Sequence, residues 1–165
     1  VTRAHLPFDQ EELETEVRRR NRLSPIVYFY HDAVGFTDLR TKARLPIRSL
    51  ENRKVVAMAG IGNPSVFLSD LEHYQVRVVS KLLFRDHHRF SRDDLTRASR
   101  EALDLGADAI VTTEKDAVRI EGLQAGNVPL LSLEIEVRSE DSFEFEKSFL
   151  EDVRQRQPSP AGCCR

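Results

Sequence analysis

The sequence predicts an α/β protein, built on a parallel, Rossmann-like sheet with helices on both faces. From about residue 54 onward, β-prone apolar runs alternate with helical segments, and the links between them are short. This alternation is typical of strand–helix–strand units, whose consecutive strands lie parallel. Of 165 residues, 40% are hydrophobic and 32% are charged, and this composition is typical of a folded globular chain.

The individual elements follow from local signals. Acids precede arginines along 9–20, as the helix dipole favours. Asn63 and Pro64 start one helix, and Ser91 with Asp94 starts another, which ends at Gly106. The predicted helices are 9–20, 64–74, 91–105, a short one ending at 120, and 139–156. The predicted strands are 26–30, 54–59, 75–84, 108–113 and 128–137, with one or two short strands in a connector over 31–53.

Several function classes are disfavoured by the sequence. Its 25 basic and 27 acidic residues give a net charge of −2, which argues against a nucleic-acid partner. No apolar run approaches the ~20 residues that a membrane span needs. The P-loop pattern G-x-x-x-x-G-K-[ST] does not occur in these residues, so we expect no P-loop grip on a triphosphate from this stretch.

Three unusual loops follow three of the predicted strands. Because the carboxyl ends of parallel strands share one edge of a sheet, these loops should meet along one rim, where ligands bind in such folds. They are Gly60-Ile-Gly-Asn-Pro64, Asp86-His-His88 and Thr112-Thr-Glu-Lys-Asp116.

The first loop has two interpretations. Gly60 and Gly62 would let backbone approach a phosphate at a helix N-terminus, with Asn63 at the cap. Alternatively, the glycines serve only a tight turn. Ser65 stands where a dinucleotide fingerprint has its third glycine, and no acid closes the next strand. The loop therefore does not favour a nicotinamide or flavin cofactor.

The Asp86-His87-His88 cluster carries the sharpest chemistry. A carboxylate beside two imidazoles can hold a metal, orient a general base or move a proton near neutral pH. The alternative is a polar loop with solvent-facing histidines. Phe84 and Phe90 bracket the cluster, and their apolar rings favour a loop fixed against the rim.

The third loop also has two interpretations. Thr113 can cap the next helix, and Glu114 and Asp116 suit the positive end of that helix. Alternatively, Lys115 or Thr113 contacts a ligand.

Read together and in order, the three loops resemble one family. Val55-Val-Ala-Met-Ala-Gly-Ile-Gly-Asn-Pro64 followed by Phe67 resembles A-G-I-G-x-P-x-x-F, and Phe84-Arg-Asp-His-His88 resembles F-x-D-H-H. Val111-Thr-Thr-Glu-Lys-Asp-Ala-Val118 resembles T-E-K-D-A-V. The family is tetraacyldisaccharide 4'-kinase, and the resemblance covers roughly 26 to 133.

The resemblance implies transfer of the ATP γ-phosphate, with Mg²⁺, to the 4'-hydroxyl of a tetraacyldisaccharide 1-phosphate, a lipid A precursor. The family works at the cytoplasmic face of the bacterial inner membrane and has two α/β lobes of P-loop-kinase type. The P-loop, the magnesium-binding acids and the acidic catalytic base belong to the N-terminal lobe. The chain then corresponds to the C-terminal lobe, needs that N-terminal lobe as its partner and is inactive alone.

The same resemblance implies a division of the chain and roles for its loops. Residues 1–53 would be the end of the N-terminal lobe with linker strands, 54–157 the C-terminal lobe, and 158–165 a flexible tail. His87 corresponds to the family's inter-lobe histidine, which pairs with the acidic base, and Asp86 precedes it as a second catalytic candidate. The substrate-binding or structural candidates are His88, Thr113, Glu114, Lys115, Asp116, Gly60, Gly62 and Asn63. No cofactor or metal ligand is expected here.

The chain departs from the family pattern at two positions. Arg85 replaces the usual proline before Asp86, and Arg119 replaces the usual lysine after A-V. Two other functions remain open from the residues. One is a non-catalytic α/β binding module, and the other is an Asp-His-His metal phosphoesterase, which needs an upstream D-x-D that the sequence lacks.

Overall fold

The computed structural model describes residues 9–23, 26–123, 126–139, 147 and 149–151. It has two compact units, one containing the residues up to Asp32 and from Val137 onward, and the other Ala33–Glu136. The rim loops all belong to the second unit. The lobe boundary expected between 53 and 54 stays a prediction.

Helices and strands alternate along the described part of the chain. The helices are α1 (Gln10–Arg20), α2 (Pro64–His73), α3 (Arg92–Asp104) and α4 (Glu114–Ile120), with a short 3₁₀ turn at Ile47–Leu50. The strands are β1 (Phe29–Asp38), β2 (Arg44–Pro46), β3 (Lys54–Ala59), β4 (Arg77–Leu83), β5 (Ala109–Thr113) and β6 (Leu130–Ser139). Within the described part of the chain, no helix is both long and apolar enough to cross a membrane.

The six strands form one sheet in the order β2-β1-β6-β5-β3-β4. β3 pairs in parallel with β4 on one side and β5 on the other, β5 pairs in parallel with β6, and β1 and β2 are antiparallel. The predicted α/β fold with a largely parallel sheet is therefore confirmed. Since the chain leaves β3 towards β4 and then returns to β5, the carboxyl ends of β3 and β5 flank a topological switch point.

The core lies on both faces of this sheet. Successive residues of β3 point to opposite faces, so Val55 and Ala57 belong to one cluster while Val56 and Met58 belong to the other. Phe67 and Leu71 of α2 pack on the first face, and Leu95, Ala98 and Ala102 of α3 pack on the second. Helices on both faces are confirmed, and β3 is held as a buried central strand.

Two predicted elements were placed wrongly. The strand predicted at 26–30 begins at Phe29 and continues to Asp38, through residues interpreted as a connector. The polar residues His31 and Asp32 interrupt the apolar pattern that predicts a strand. Pairing with β2 and burial of Phe36 nevertheless stabilise β1. The helix predicted from Ser139 begins too early, because Ser139 still belongs to β6. Residues 147 and 149–151 are helical, and the other residues of the predicted helix after Ser139, with Phe145 and Val153, lie outside the described residues.

The start of α3 is fixed by a capping box, as the sequence predicts. The Ser91 hydroxyl accepts the Asp94 N–H, and the Asp94 carboxylate accepts from the backbone N–H and the hydroxyl of Ser91. His88 Nε2 lies 3.1 Å from the same carboxylate. Burial opposes ionisation of Asp94, but these hydrogen bonds from Ser91 and His88 outweigh it, so the pKa of Asp94 is lowered.

This lowered pKa predicts an acid-dependent loss of stability. The stabilisation is fully present above the unfolded-state pKa of about 3.9 and is lost as the pH falls through the lower folded-state value. At pH 7 we expect Asp94→Asn to have a free energy of unfolding smaller than the wild type by about 1 kcal/mol. Urea denaturation at successively lower pH should show that difference shrinking below about pH 4.

Asp93→Asn is the matched control, because Asp93 lies in the same first turn of α3 and the described structure gives it no bond to Ser91 or His88. A difference between Asp94→Asn and wild type that stays constant down to the acid limit would contradict the assignment.

Candidate active site

The three predicted rim loops come together at one edge of the sheet. Residues 60–63 follow β3, 84–90 follow β4, and α4 begins directly after β5. Since the three strands are parallel, these loops share the carboxyl edge. The loops after β3 and β5 flank the switch point, which is where open α/β sheets bind ligands.

The buried carboxylate of Asp116 joins two of these loops. It has no exposed surface, and its Oδ2 accepts hydrogen bonds from the Gly60 N–H at 2.8 Å and the Thr113 hydroxyl at 3.0 Å. Its Oδ1 accepts from Arg119 Nη1 at 3.0 Å. A buried charge is tolerated only when it is paired and hydrogen-bonded, and each oxygen here has such a partner.

Thr113 caps α4, as its position at the end of β5 predicts. Its hydroxyl oxygen accepts the Asp116 N–H at 3.2 Å while the hydroxyl donates to the Asp116 carboxylate. Thr113 is thereby committed to Asp116 by both hydrogen-bonding functions. Its contacts therefore correspond to the capping interpretation of this loop.

The glycines of the first loop allow close packing. A Cβ on the buried Gly60 would lie 3.1 Å from the His88 Cβ and 3.3 Å from a ring carbon of Phe90. A Cβ on Gly62 would lie 3.2 Å from a carboxylate oxygen of Asp86. Neither glycine has the left-handed conformation. Their small size thus lets the loop after β3 lie directly against residues 84–90, the loop after β4 that we call the histidine loop.

His87 sits at the exposed apex of its loop in an unusual backbone conformation. Its φ is +59°, a left-handed value that costs a non-glycine residue about 1–2 kcal/mol. The His87 N–H donates to the Gly60 carbonyl at 3.1 Å and to Asp86 Oδ1 at 3.0 Å, which holds the turn. The side chain is 81% exposed, so the fold presents this imidazole at the rim.

His88 points elsewhere and has the contacts of a structural residue. Its ring stacks on Phe84 with centroids 4.3 Å apart and meets the edge of Phe90. Its Nε2 faces the Asp94 carboxylate of the capping box. His88 therefore fastens the loop after β4 to the start of α3.

The remaining candidates are divided between structural and exposed positions. Glu114 accepts the Ile135 N–H at 3.2 Å and so ties α4 to β6. Asn63 occupies the cap position before α2, but its side chain makes no capping bond and accepts from the Ser65 hydroxyl instead. Lys115 is exposed in the first turn of α4. Of these three residues, Lys115 is the cation, and its side chain lies exposed beside the rim.

Arg119 also belongs to the candidate site, although the sequence marks it only as a departure from the family pattern. Its Nη1 donates to Asp116 and to the Gly60 carbonyl at 3.1 Å, and its Nη2 lies 3.0 Å from His87 Nδ1. The signal available in the sequence is the acid–base pair at 116 and 119, because residues three apart on a helix are neighbours.

The Asp86-His87-His88 sequence does not form a metal centre in the described part of the chain. No group of three or more His, Cys, Asp or Glu side chains there could hold a metal ion. His88 turns towards Asp94 while His87 faces Arg119, so the adjacent imidazoles do not converge. The two-metal phosphoesterase interpretation has no donor set among these residues.

The fold and the rim define an α/β domain of the doubly wound type, with a histidine loop and a buried acid at its switch point. Residues 5–154 match the family model described as "Tetraacyldisaccharide-1-P 4'-kinase". The chain therefore belongs to the tetraacyldisaccharide-1-P 4'-kinase family, as the resemblance of its three loops implies.

Curated relatives named tetraacyldisaccharide 4'-kinase agree with this assignment. The protein from Syntrophus aciditrophicus is 33% identical over 133 residues, covering 81% of this chain and 36% of the relative. The protein from Syntrophobacter fumaroxidans is 31% identical over 160 residues, covering 97% of this chain and 42% of the relative. The chain thus spans about two fifths of these relatives.

A solved structure shares the fold. The crystal structure of LpxK from Aquifex aeolicus in complex with ATP aligns with a TM-score of 0.55 and 19% sequence identity. The alignment covers 81% of this chain and 40% of the LpxK chain. At this identity the likeness supports the fold of the domain.

The two rim glycines should differ in their tolerance of a methyl group. Gly60→Ala forces a Cβ against half-buried His88 and buried Phe90, and we expect it to lower the free energy of unfolding by about 1–3 kcal/mol. Gly62→Ala meets only the half-exposed Asp86 carboxylate, which can rotate away, and should change stability by less than about 0.5 kcal/mol. Chemical denaturation of both variants gives the comparison. Equal losses would contradict the packing described for this loop.

Proposed function

We propose that this chain supplies the histidine-bearing lobe of a lipid kinase. The reaction is transfer of the γ-phosphate of ATP to the 4'-hydroxyl of a tetraacyldisaccharide 1-phosphate in lipid A synthesis. Family membership supports this proposal. The observation that carries it is the exposed imidazole of His87, which hydrogen bonds hold in a left-handed turn at the switch-point rim.

The proposed role of His87 is to orient an acidic base on the nucleotide-binding lobe. That base takes the proton of the 4'-hydroxyl as its oxygen bonds to the γ-phosphorus, and the bond to the bridging oxygen breaks to release ADP. Phosphoryl transfer depends mostly on positioning and charge stabilisation. An imidazole N–H that holds the base in place therefore contributes directly to the rate. Asp86, beside His87, supports the loop by accepting its N–H.

ATP and Mg²⁺ are assigned to the nucleotide-binding lobe and not to this chain. The 165 residues contain no P-loop pattern, and the described ones hold no metal donor set. No described residue of this chain is therefore assigned to ATP or to Mg²⁺. The acceptor is a lipid, so the proposed enzyme acts at a membrane surface, and we propose the cytoplasmic face of the bacterial inner membrane.

Replacement of His87 should impair transfer without unfolding the domain. We expect His87→Ala to lower the rate of phosphate transfer by about 10²-fold or more, as is typical for loss of an acid–base partner. The assay follows radiolabelled phosphate from ATP to the tetraacyldisaccharide 1-phosphate. The assay is run on this chain alone and on a mixture. The mixture contains this chain and the part of the Syntrophus aciditrophicus relative that lies outside the matched region.

His73→Ala is the matched control, because His73 is an exposed histidine at the end of α2 that contacts Tyr74. Activity confined to the mixture and lost only with His87→Ala supports the proposal. A mixture that assembles, as judged by sedimentation, yet transfers no phosphate would contradict it and favour the non-catalytic binding module.

A further inference from the structure

Arg119 connects the buried carboxylate of the site to its exposed histidine. Its Nη1 donates to Asp116 Oδ1 at 3.0 Å and to the Gly60 carbonyl at 3.1 Å. Asp116 is itself fixed by Gly60 and Thr113. A guanidinium is planar and its N–H groups form a rigid fork. Anchoring one arm of the fork therefore sets the direction of the other.

The second arm determines which nitrogen of His87 carries the proton. Arg119 Nη2 lies 3.0 Å from His87 Nδ1. An arginine side chain stays charged and offers only N–H donors, so Nδ1 has to accept through its lone pair. A neutral imidazole whose Nδ1 accepts carries its proton on Nε2.

We propose that Arg119 is a positioning residue that keeps His87 in the Nε2–H tautomer, with that N–H on the exposed rim. The inference rests on the proposed function, in which this N–H meets the carboxylate of the acidic base. The opposite tautomer would present a lone pair at Nε2, and two acceptors facing each other repel. The tautomer thus decides whether His87 attracts the base or repels it.

The neighbouring carboxylate leaves this N–H available. Asp86 Oδ2 lies 3.7 Å from His87 Nε2, which is longer than a hydrogen bond. The other Asp86 oxygen accepts the backbone N–H of His87. Asp86 thereby steadies the turn while Arg119 orients the ring.

Arg119→Lys tests the contact with His87 separately from the positive charge beside Asp116. A lysine, which is the usual residue at this position of the family pattern, keeps a positive charge beside the buried Asp116, so the domain should still fold. Its single nitrogen cannot occupy the positions of both Nη1 and Nη2. The matched control is Arg89→Lys, which makes the same chemical change at an exposed arginine of the loop that carries His87, and the described structure gives Arg89 no bond to His87.

The first readout is the imidazole spectrum of the ¹⁵N-labelled full chain. At about pH 8.5, where histidines are neutral, long-range ¹H–¹⁵N correlations should give wild-type His87 an unprotonated, hydrogen-bonded Nδ1 and a protonated Nε2. With Arg119→Lys the Nδ1 resonance should move to the position of a freely exchanging imidazole, and with Arg89→Lys it should stay. A protonated Nδ1 in the wild type, or an Nδ1 resonance unmoved by Arg119→Lys, would overturn the inference.

The second readout separates this inference from the proposed function. In the kinase mixture, Arg119→Lys should lower kcat roughly tenfold with KM unchanged, and should lower it no further when His87 is already alanine. Loss of activity with His87→Ala but a normal kcat with Arg119→Lys overturns the role of Arg119 and leaves the proposed function standing. Full activity with His87→Ala overturns the proposed function, while the spectrum still decides the tautomer.

Discussion

The rim of the candidate site depends on one buried group, the carboxylate of Asp116. It has no exposed surface, so its charge is tolerable only with a full set of donors. Those donors are the Gly60 N–H after β3, the capping hydroxyl of Thr113 at the end of β5, and the guanidinium of Arg119. The hydrogen bonds that this one carboxylate requires therefore hold the loop after β3 against the start of α4, across the switch point between β3 and β5.

The histidine loop is bound indirectly to the Asp116 carboxylate, through Gly60 and Arg119. Gly60, which donates its N–H to Asp116, accepts the His87 N–H through its carbonyl. Arg119, which also binds Asp116, contacts the His87 ring. The backbone and the side chain of His87 are thus set by residues bound to the same carboxylate. Such support explains how an exposed histidine in a strained turn can have a defined orientation, since strain persists only where the surroundings over-determine it.

The sequence predicted the parallel core and the location of the rim because both depend on local patterns. The buried strand at 54–59 and the capping box of Ser91 and Asp94 were readable from periodicity and spacing. The extent of β1 was not, because its charged residues conceal a strand that is stabilised by pairing with β2. The sequence also does not show that the side chains of His87 and His88 point in different directions. Their directions depend on the positive φ of His87 and on the stacking of His88 against Phe84. Arg119 reaches Gly60 and His87 only through tertiary folding.

Amide hydrogen exchange in Asp116→Asn shows whether the rim depends on the buried carboxylate. The replacement keeps one acceptor oxygen but turns the other into an NH₂ group, which would face donors. We expect the Gly60 and His87 amides to lose protection together, while the Phe84 amide, bonded to the Ala59 carbonyl, keeps its protection. Wild-type protection at Gly60 and His87 in this variant would show that the rim does not depend on the buried carboxylate.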